Sequence, residues 1–296
     1  MKPIEISALV FIMVLFFTCG TQHKMNSSQS YLVKDVMLKT ELGEIVIRLS
    51  DSTPKHRDNF LKLVNNGFYD GIAFHRVIQN FLIQTGNPET RTTPSRVPEI
   101  EYTIPSEIHP SLFHKRGAIN AARMGDNYNP NQASSGTQFT IIQGKTYTDS
   151  TLAIAEQRIN NWLAYNKVIN DPNHKSDFET YTNILKEIDT LHASENKEDM
   201  TRRAILKRSS QEMKTKLDSL TEEMKTTMTP YVYPEVHRTS YKTTGGAAHL
   251  DKNYVVFGAV IKGMDIVDRI AVVPTDSLDT PLTDVRILSA TLVERK

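Results

Sequence analysis

The sequence predicts a mainly β domain interrupted by an all-helical stretch, and three observations carry that expectation. Short runs of alternating apolar residues, separated by Gly, Pro and Asn, fill residues 32–144. Glycine then disappears and helical periodicity takes over from Lys145 to Gly245, and strand texture returns at Tyr254. The 296 residues, 39% hydrophobic and 23% charged, are of ordinary globular composition, which excludes disordered, collagen-like and multi-span membrane chains. Thirty-five basic side chains against 34 acidic ones leave no electrostatic footprint for nucleic acid or an acidic partner. The lone cysteine, Cys19, excludes an intramolecular disulfide and a cysteine-rich metal site.

At the N-terminus, Lys2 precedes an apolar run over residues 7–17. That is shorter than the roughly 20 residues a spanning helix needs, so it reads as the h-region of a signal segment. Cys19 follows directly, and the polar stretch 21–30 resembles the tether of a bacterial lipoprotein anchored through Cys19. Phe17 and Thr18 depart from the small residues usual before such a cysteine, and the alternative is a cleaved signal peptide with an incidental cysteine. Both readings export the protein, to the periplasm or the outer membrane of a bacterium, and both leave residues 1–30 outside the fold.

From Tyr31 the elements follow in order. Val36 to Lys39 and the alternating Ile45, Ile47 and Leu49 predict a β-hairpin. Thr53 is the expected cap of a helix opening at Pro54, with Phe60, Leu63 and Val64 on one face and Gly67 past its end. Apolar runs at 72–78, 81–84, 117–122 and 139–142 predict further strands of an antiparallel barrel or sandwich. In the helical stretch, Leu152, Ala155, Ile159, Trp162 and Leu163 form one stripe. Ser176 and Glu179, spaced as a capping box, precede a second stripe of Phe178, Tyr181, Ile184, Leu185 and Ile188. A third, through Leu206, Met213, Leu217, Leu220 and Met224, predicts a helix of about 30 residues from Glu198, on the order of 45 Å long. A strand over 254–261, a short helix over 264–271 and a last strand over 284–292 complete the expectation. The domain limits are then 31–144 plus 246–296 for the β domain and 145–245 for a helical insertion.

The segment Phe74-His75-Arg76, Phe81, Gln84 and Gly86 resembles the FHR-xxxx-F-x-x-Q-x-G motif of the cyclophilins, the peptidyl-prolyl cis-trans isomerases. Residues 117–122 (GAINAA) are similar to the family's pocket strand, and 136–139 (GTQF) to its G-[ST]-Q-F segment. Leu250-Asp251 followed by 255–258 (VVFG) is similar to its LD-xx-xVVFG signature. The four occur in the family's order. The resemblance implies a closed eight-stranded antiparallel barrel with two capping helices and isomerase activity on proline-containing polypeptides, without cofactor or metal. It implies roles as well. Arg76 donates to the prolyl nitrogen, and Phe81, Leu82 and Leu250 line the proline pocket. Gln84 orients Arg76 or the substrate carbonyl, and Gln138 contacts substrate. Ala122 and the Arg123 backbone hold an extended peptide, and Tyr254 takes the place of a substrate-contacting histidine. His75 is expected to be a satisfied packing residue.

The sequence departs from the family where Thr140 replaces an aromatic wall residue, where His249 replaces a tryptophan, and where Arg123 replaces an asparagine. A shallower, wetter pocket and weak cyclosporin binding are the expected consequences. The alternative to an active isomerase is a weakly active or inactive chaperone or protein-binding module acting through the helical insertion. Oligomeric state is open, with a monomer favoured. The loop 125–131 lacks the alternating acids of a calcium site, and Gly245-Gly246 reads as a turn.

Overall fold

The computed structural model describes residues 34–92 and 102–295. The expected signal segment and Cys19 lie outside the described residues. No helix among the described residues is long and apolar enough to cross a membrane.

β1 (Lys34–Thr40) and β2 (Gly43–Leu49) form the expected hairpin, with Val36 opposite Ile47 and Leu38 opposite Ile45. These four side chains are fully buried because alternation sends every second residue to the inner face. α1 (Pro54–Asn65) starts at its proline and buries Phe60, Leu63 and Val64 as expected. Its cap differs from the expectation. The Thr53 hydroxyl makes no capping bond and is buried without a partner. Glu107 takes that role from afar, accepting from the Lys55 N–H at 3.1 Å and the His56 N–H at 3.0 Å. Its carboxylate also lies 2.7 Å from His56 Nδ1, and those hydrogen bonds hold its pKa low against the burial that works to raise it. A carboxylate satisfies orphan helix amides better than a hydroxyl because it adds charge at the positive end of the dipole.

Eight strands build one antiparallel sheet: β1, β2, β3 (Arg76–Ile78), β4 (Leu82–Thr85), β6 (Ala118–Ala121), β8 (Phe139–Ile142), β9 (Val256–Lys262) and β10 (Ile287–Glu294). β5 (Thr103–Ile104) pairs separately with β7 (Ser134–Ser135). The sheet order is β10-β1-β2-β9-β6-β8-β4-β3. The sheet is a half-barrel open between β3 and β10, so the closed barrel is corrected. The expected strand over 72–78 is regular only from Arg76. Ahead of it, Ala73 makes a single bridge to Arg286, with Phe74 N–H to Val285 O at 2.8 Å alongside. The last strand correspondingly starts at Ile287 instead of 284. α1 and α6 (Met264–Ala271) pack on the sheet, and Phe60 contacts Tyr69, Phe139 and Phe257 in an aromatic core.

The helical stretch contains α2 (Asp149–Asn170), α3 (Lys175–Thr190), α4 (Lys197–Thr227) and α5 (Glu235–Thr243). α4 has 31 residues, about 46 Å at 1.5 Å each. It closes a three-helix core of Val168, Ile169, Phe178, Tyr181 and Leu217. A second cluster, Leu152, Ala155, Ile159, Tyr233, Tyr241 and Ala248, fastens α2 to the segment returning to the sheet. Trp162 of the first stripe is only half-buried, with the Arg158 guanidinium 5.5 Å from its ring centre. The capping box expected at Ser176 and Glu179 does not form, because the turn after α2 delivers His174 to the cap and puts Ser176 inside the first turn. A reciprocal box forms between Thr148 and Thr151 at the start of α2.

The two ends of the helical stretch meet where Lys145 and Gly246 exchange backbone hydrogen bonds of 3.2 and 3.0 Å. A Cβ on Gly144 would lie 2.4 Å from the Gly246 Cα, so only glycine permits this crossing. Residues from Lys34 onward form one compact unit, in which the helices do not separate from the sheet.

Candidate active site

Strand register assembles the site. β3–β4 pairing sets Arg76 opposite Gln84, β4–β8 sets Gln84 opposite Thr140, and β8–β6 sets Thr140 opposite Asn120. These four share one face of the sheet, because Ile83, Ile141 and Ile119 between them point to the core and are fully buried. One step along the same face lie Leu82, Ile142 and Ala118. With Ala247, Leu250 and Val256 they form an apolar cluster, against which Phe81, Leu112 and Tyr254 pack. A guanidinium-bearing strand thus borders a greasy floor. Diagonal neighbours across strands lie about 7 to 8 Å apart, within reach of an arginine side chain.

Arg76 is 44% exposed, and its Nε is 3.4 Å from the Asp279 carboxylate. Such an exposed pair is weak. Its Nη groups have no hydrogen-bond partner among the described residues, so they are available to an incoming acceptor. Gln84 Nε2 donates to the Gln138 side-chain Oε1 at 3.1 Å and its side chain makes no bond to Arg76. The two glutamines expected to meet substrate therefore hold each other. Thr140 is 4% exposed, and its hydroxyl donates to Asn120 Oδ1 at 2.5 Å. The wall is polar but internally satisfied.

His249 stacks on Phe81, with ring centres 5.3 Å apart and planes at 28°. Burial, reinforced by the nearby Arg158 charge, pushes its pKa down to about 4, so the ring against Phe81 is neutral at ordinary pH. Leu82 and Leu250 are 5% and 6% exposed. The Arg123 side chain donates to the Asn253 carbonyl at 2.8 Å, pairs with Asp126 at 2.7 Å and covers the Tyr254 ring at 4.9 Å.

The Ala122 N–H donates to Gln138 O at 3.0 Å and its carbonyl accepts from Ser135 N–H at 2.7 Å, so both of its peptide groups are used within the fold. The Arg123 peptide groups have no internal partner among the described residues. His75 differs from the expectation, because its half-buried ring leaves Nδ1 without a partner. Its pKa is lowered by burial first and by Arg76 second.

Asn120 was not foreseen as a site residue. The signal was an amide inside an otherwise apolar run, which a buried position tolerates only with a partner. Asp279 was missed too, since 203 residues separate it from Arg76. No cluster of three or more His, Cys, Asp or Glu side chains suited to a metal occurs among the described residues.

The site is thus an exposed guanidinium beside an apolar floor on one face of an antiparallel half-barrel. The family model described as cyclophilin type peptidyl-prolyl cis-trans isomerase/CLD matches residues 35–169 and 240–292, and the chain belongs to that family. The unmatched residues 170–239 contain the whole of α3 and α4 and the first part of α5. A Staphylococcus saprophyticus protein named "Putative peptidyl-prolyl cis-trans isomerase" is 24% identical over 88% of this chain and 91% of its own length. A Streptococcus pyogenes protein named "Putative bifunctional phosphatase/peptidyl-prolyl cis-trans isomerase" is 38% identical over 36% of this chain, and the match spans only 22% of that longer protein. A cyclophilin type peptidyl-prolyl cis-trans isomerase of Cryptosporidium parvum, known from its crystal structure, aligns over 89% of this chain and 99% of its own at 17% identity, with a TM-score of 0.48.

Proposed function

We propose that the protein accelerates cis–trans rotation of X-Pro bonds in exported polypeptides, with Arg76 donating to the prolyl nitrogen. Resonance sets a barrier of about 18 to 20 kcal/mol against this rotation. As the bond twists, the nitrogen regains a lone pair, and a donor aimed at it stabilises the twisted form more than the planar one. A guanidinium suits this role because it stays charged and presents rigid N–H groups. The apolar floor of Leu82, Leu250 and Ile142 takes the pyrrolidine ring, and the Phe81–His249 stack bounds it. No proton is transferred, so a neutral His249 and an unpartnered His75 are no handicap. Lowering the barrier by about 7 kcal/mol gives roughly 10⁵-fold acceleration.

The observation that carries this reading is the pair of uncommitted Arg76 Nη groups on the same face as a buried apolar cluster. NMR exchange spectroscopy on an Ala-Pro peptide tests it. Catalytic amounts of protein are expected to produce cis–trans cross-peaks on a sub-second timescale, against tens to hundreds of seconds uncatalysed. No cross-peaks at any protein concentration would leave the second reading, a binding module with little turnover. One feature favours that second reading: Thr140, bonded to Asn120, offers the proline a hydroxyl-bearing wall. Export and anchoring through Cys19 belong to the same proposal and rest on residues 2–30 of the sequence. Fatty-acid labelling lost in Cys19→Ser supports the anchor, and labelling that persists refutes it.

A further inference from the structure

A cleft of about 560 Å³ opens beside the Phe81–His249 stack, between the β3–β4 turn and α2. Phe81 and His249 line it as well as the proline slot, so the two spaces share a wall. The remaining lining includes Tyr147, Ile154, Lys145 and Arg158, and no carboxylate. Ile154 is 65% exposed. Neither Lys145 nor Arg158 forms a salt bridge among the described residues, and Arg158 only lies against the Trp162 ring. The acids on the same helix are committed elsewhere. Asp149 binds Lys242 at 2.8 Å and Arg238 at 2.7 Å, and Glu156 accepts from the Tyr233 N–H at 3.0 Å.

Position matters as much as charge. Gln138 precedes β8 and Lys145 follows it, so the two stand at opposite ends of the groove, roughly 20 Å apart at about 3.3 Å per residue. An extended peptide whose proline sits midway reaches Lys145 about three residues from that proline.

We infer that this cleft is a second subsite which selects substrates carrying acidic side chains two or three residues from the proline, on the flank remote from Gln138. The inference rests on the isomerase reading and names its substrate class. The apolar stem of a glutamate packs on Ile154, and its carboxylate meets two cations that have no competing anion. Because the helical stretch supplies six of the eleven lining residues, from Lys145 to Arg158, selection is a property of that stretch, and the strands supply the donor and the floor.

The test uses the full protein and three peptides with an Ala-Pro core: Glu-Glu after the proline, Glu-Glu before it, and Gln-Gln in both places. Binding is read by fluorescence anisotropy and turnover by exchange NMR. At low salt, one of the two acidic peptides is expected to be preferred over the neutral one by about threefold per cation, the scale of an exposed ion pair. The preference falls to unity in Lys145→Ala/Arg158→Ala and in 0.5 M salt, and inverts in Lys145→Glu/Arg158→Glu. Equal preference for both acidic peptides indicates bulk charge alone, and preference that survives the double substitution places recognition elsewhere. Either result overturns the subsite. If the neutral peptide is turned over and no acidic preference appears, only the subsite fails. If no peptide is turned over, the isomerase reading fails and anisotropy still decides the subsite.

Discussion

The sheet and the helical stretch carry their polar residues in opposite ways. On the outer face of the sheet, Thr140 and Asn120 are 4% and 2% exposed; the Thr140 hydroxyl donates to Asn120 Oδ1, and the Asn120 amide donates to the Ala121 carbonyl. On the helices, polar side chains face water and pair across exposed salt bridges such as Lys214–Asp218 and Arg202–Glu187. Exposed pairs of that kind contribute about 0.2 to 1 kcal/mol each. A polar atom kept in a dry place costs far more if unpaired, so its presence demands an explanation in terms of partner or function. The helices are held by their apolar stripes, whereas the sheet combines an apolar inner face with an outer face given over to the site.

That contrast predicts separable effects. Leu217, fully buried in the three-helix core, is the strongest lever on the helical side. Leu217→Ala should lower stability by about 2 to 5 kcal/mol in urea titration, leaving turnover per folded molecule unchanged. A matching loss of turnover would show that the two regions are not separable. On the sheet side, Thr140→Val strands the Asn120 carbonyl and should cost about 1 to 3 kcal/mol, and adding Asn120→Ala should recover most of it. A single substitution without cost would mean that the hydrogen bond contributes nothing.

A further effect is on pH dependence. His249 has its pKa lowered from an ordinary 6.5 to about 4 in the folded protein. Its contribution to stability is therefore fully present above about pH 6.5 and is lost as pH falls towards 4. Melting temperatures from pH 7.5 to 4.5 should fall less steeply in His249→Phe than in the parent chain. Parallel curves would contradict a neutral, stacked His249.

Much of the site was legible because it is local. Arg76, Phe81, Leu82 and Gln84 fall within nine residues, and strand alternation already puts Leu82 and Gln84 on one face. The helical stripes were legible for the same reason, since 3.6-residue periodicity is a short-range signal. What escaped was set by contacts distant in sequence. Glu107 caps α1 from 51 residues beyond His56, and Gln84 binds a Gln138 that only the β4–β8 pairing brings near. Thr53 and Ser176 failed as caps because spacing proposes a cap while the incoming chain decides it. The opening between β3 and β10 escaped for a related reason: an apolar run indicates burial, and Ile72 to Phe74 is buried with only irregular pairing to residues 285–287 instead of a regular ladder.

Substitution of Arg76 measures the role of the guanidinium directly. In exchange NMR on an Ala-Pro peptide, Arg76→Ala should lower kcat/KM by about 10² to 10³, the cost of removing one transition-state donor. Stability should stay within about 0.5 kcal/mol of the parent, as for any exposed side chain. Undiminished turnover in the folded Arg76→Ala protein would contradict the assignment of that guanidinium as the donor to the rotating bond.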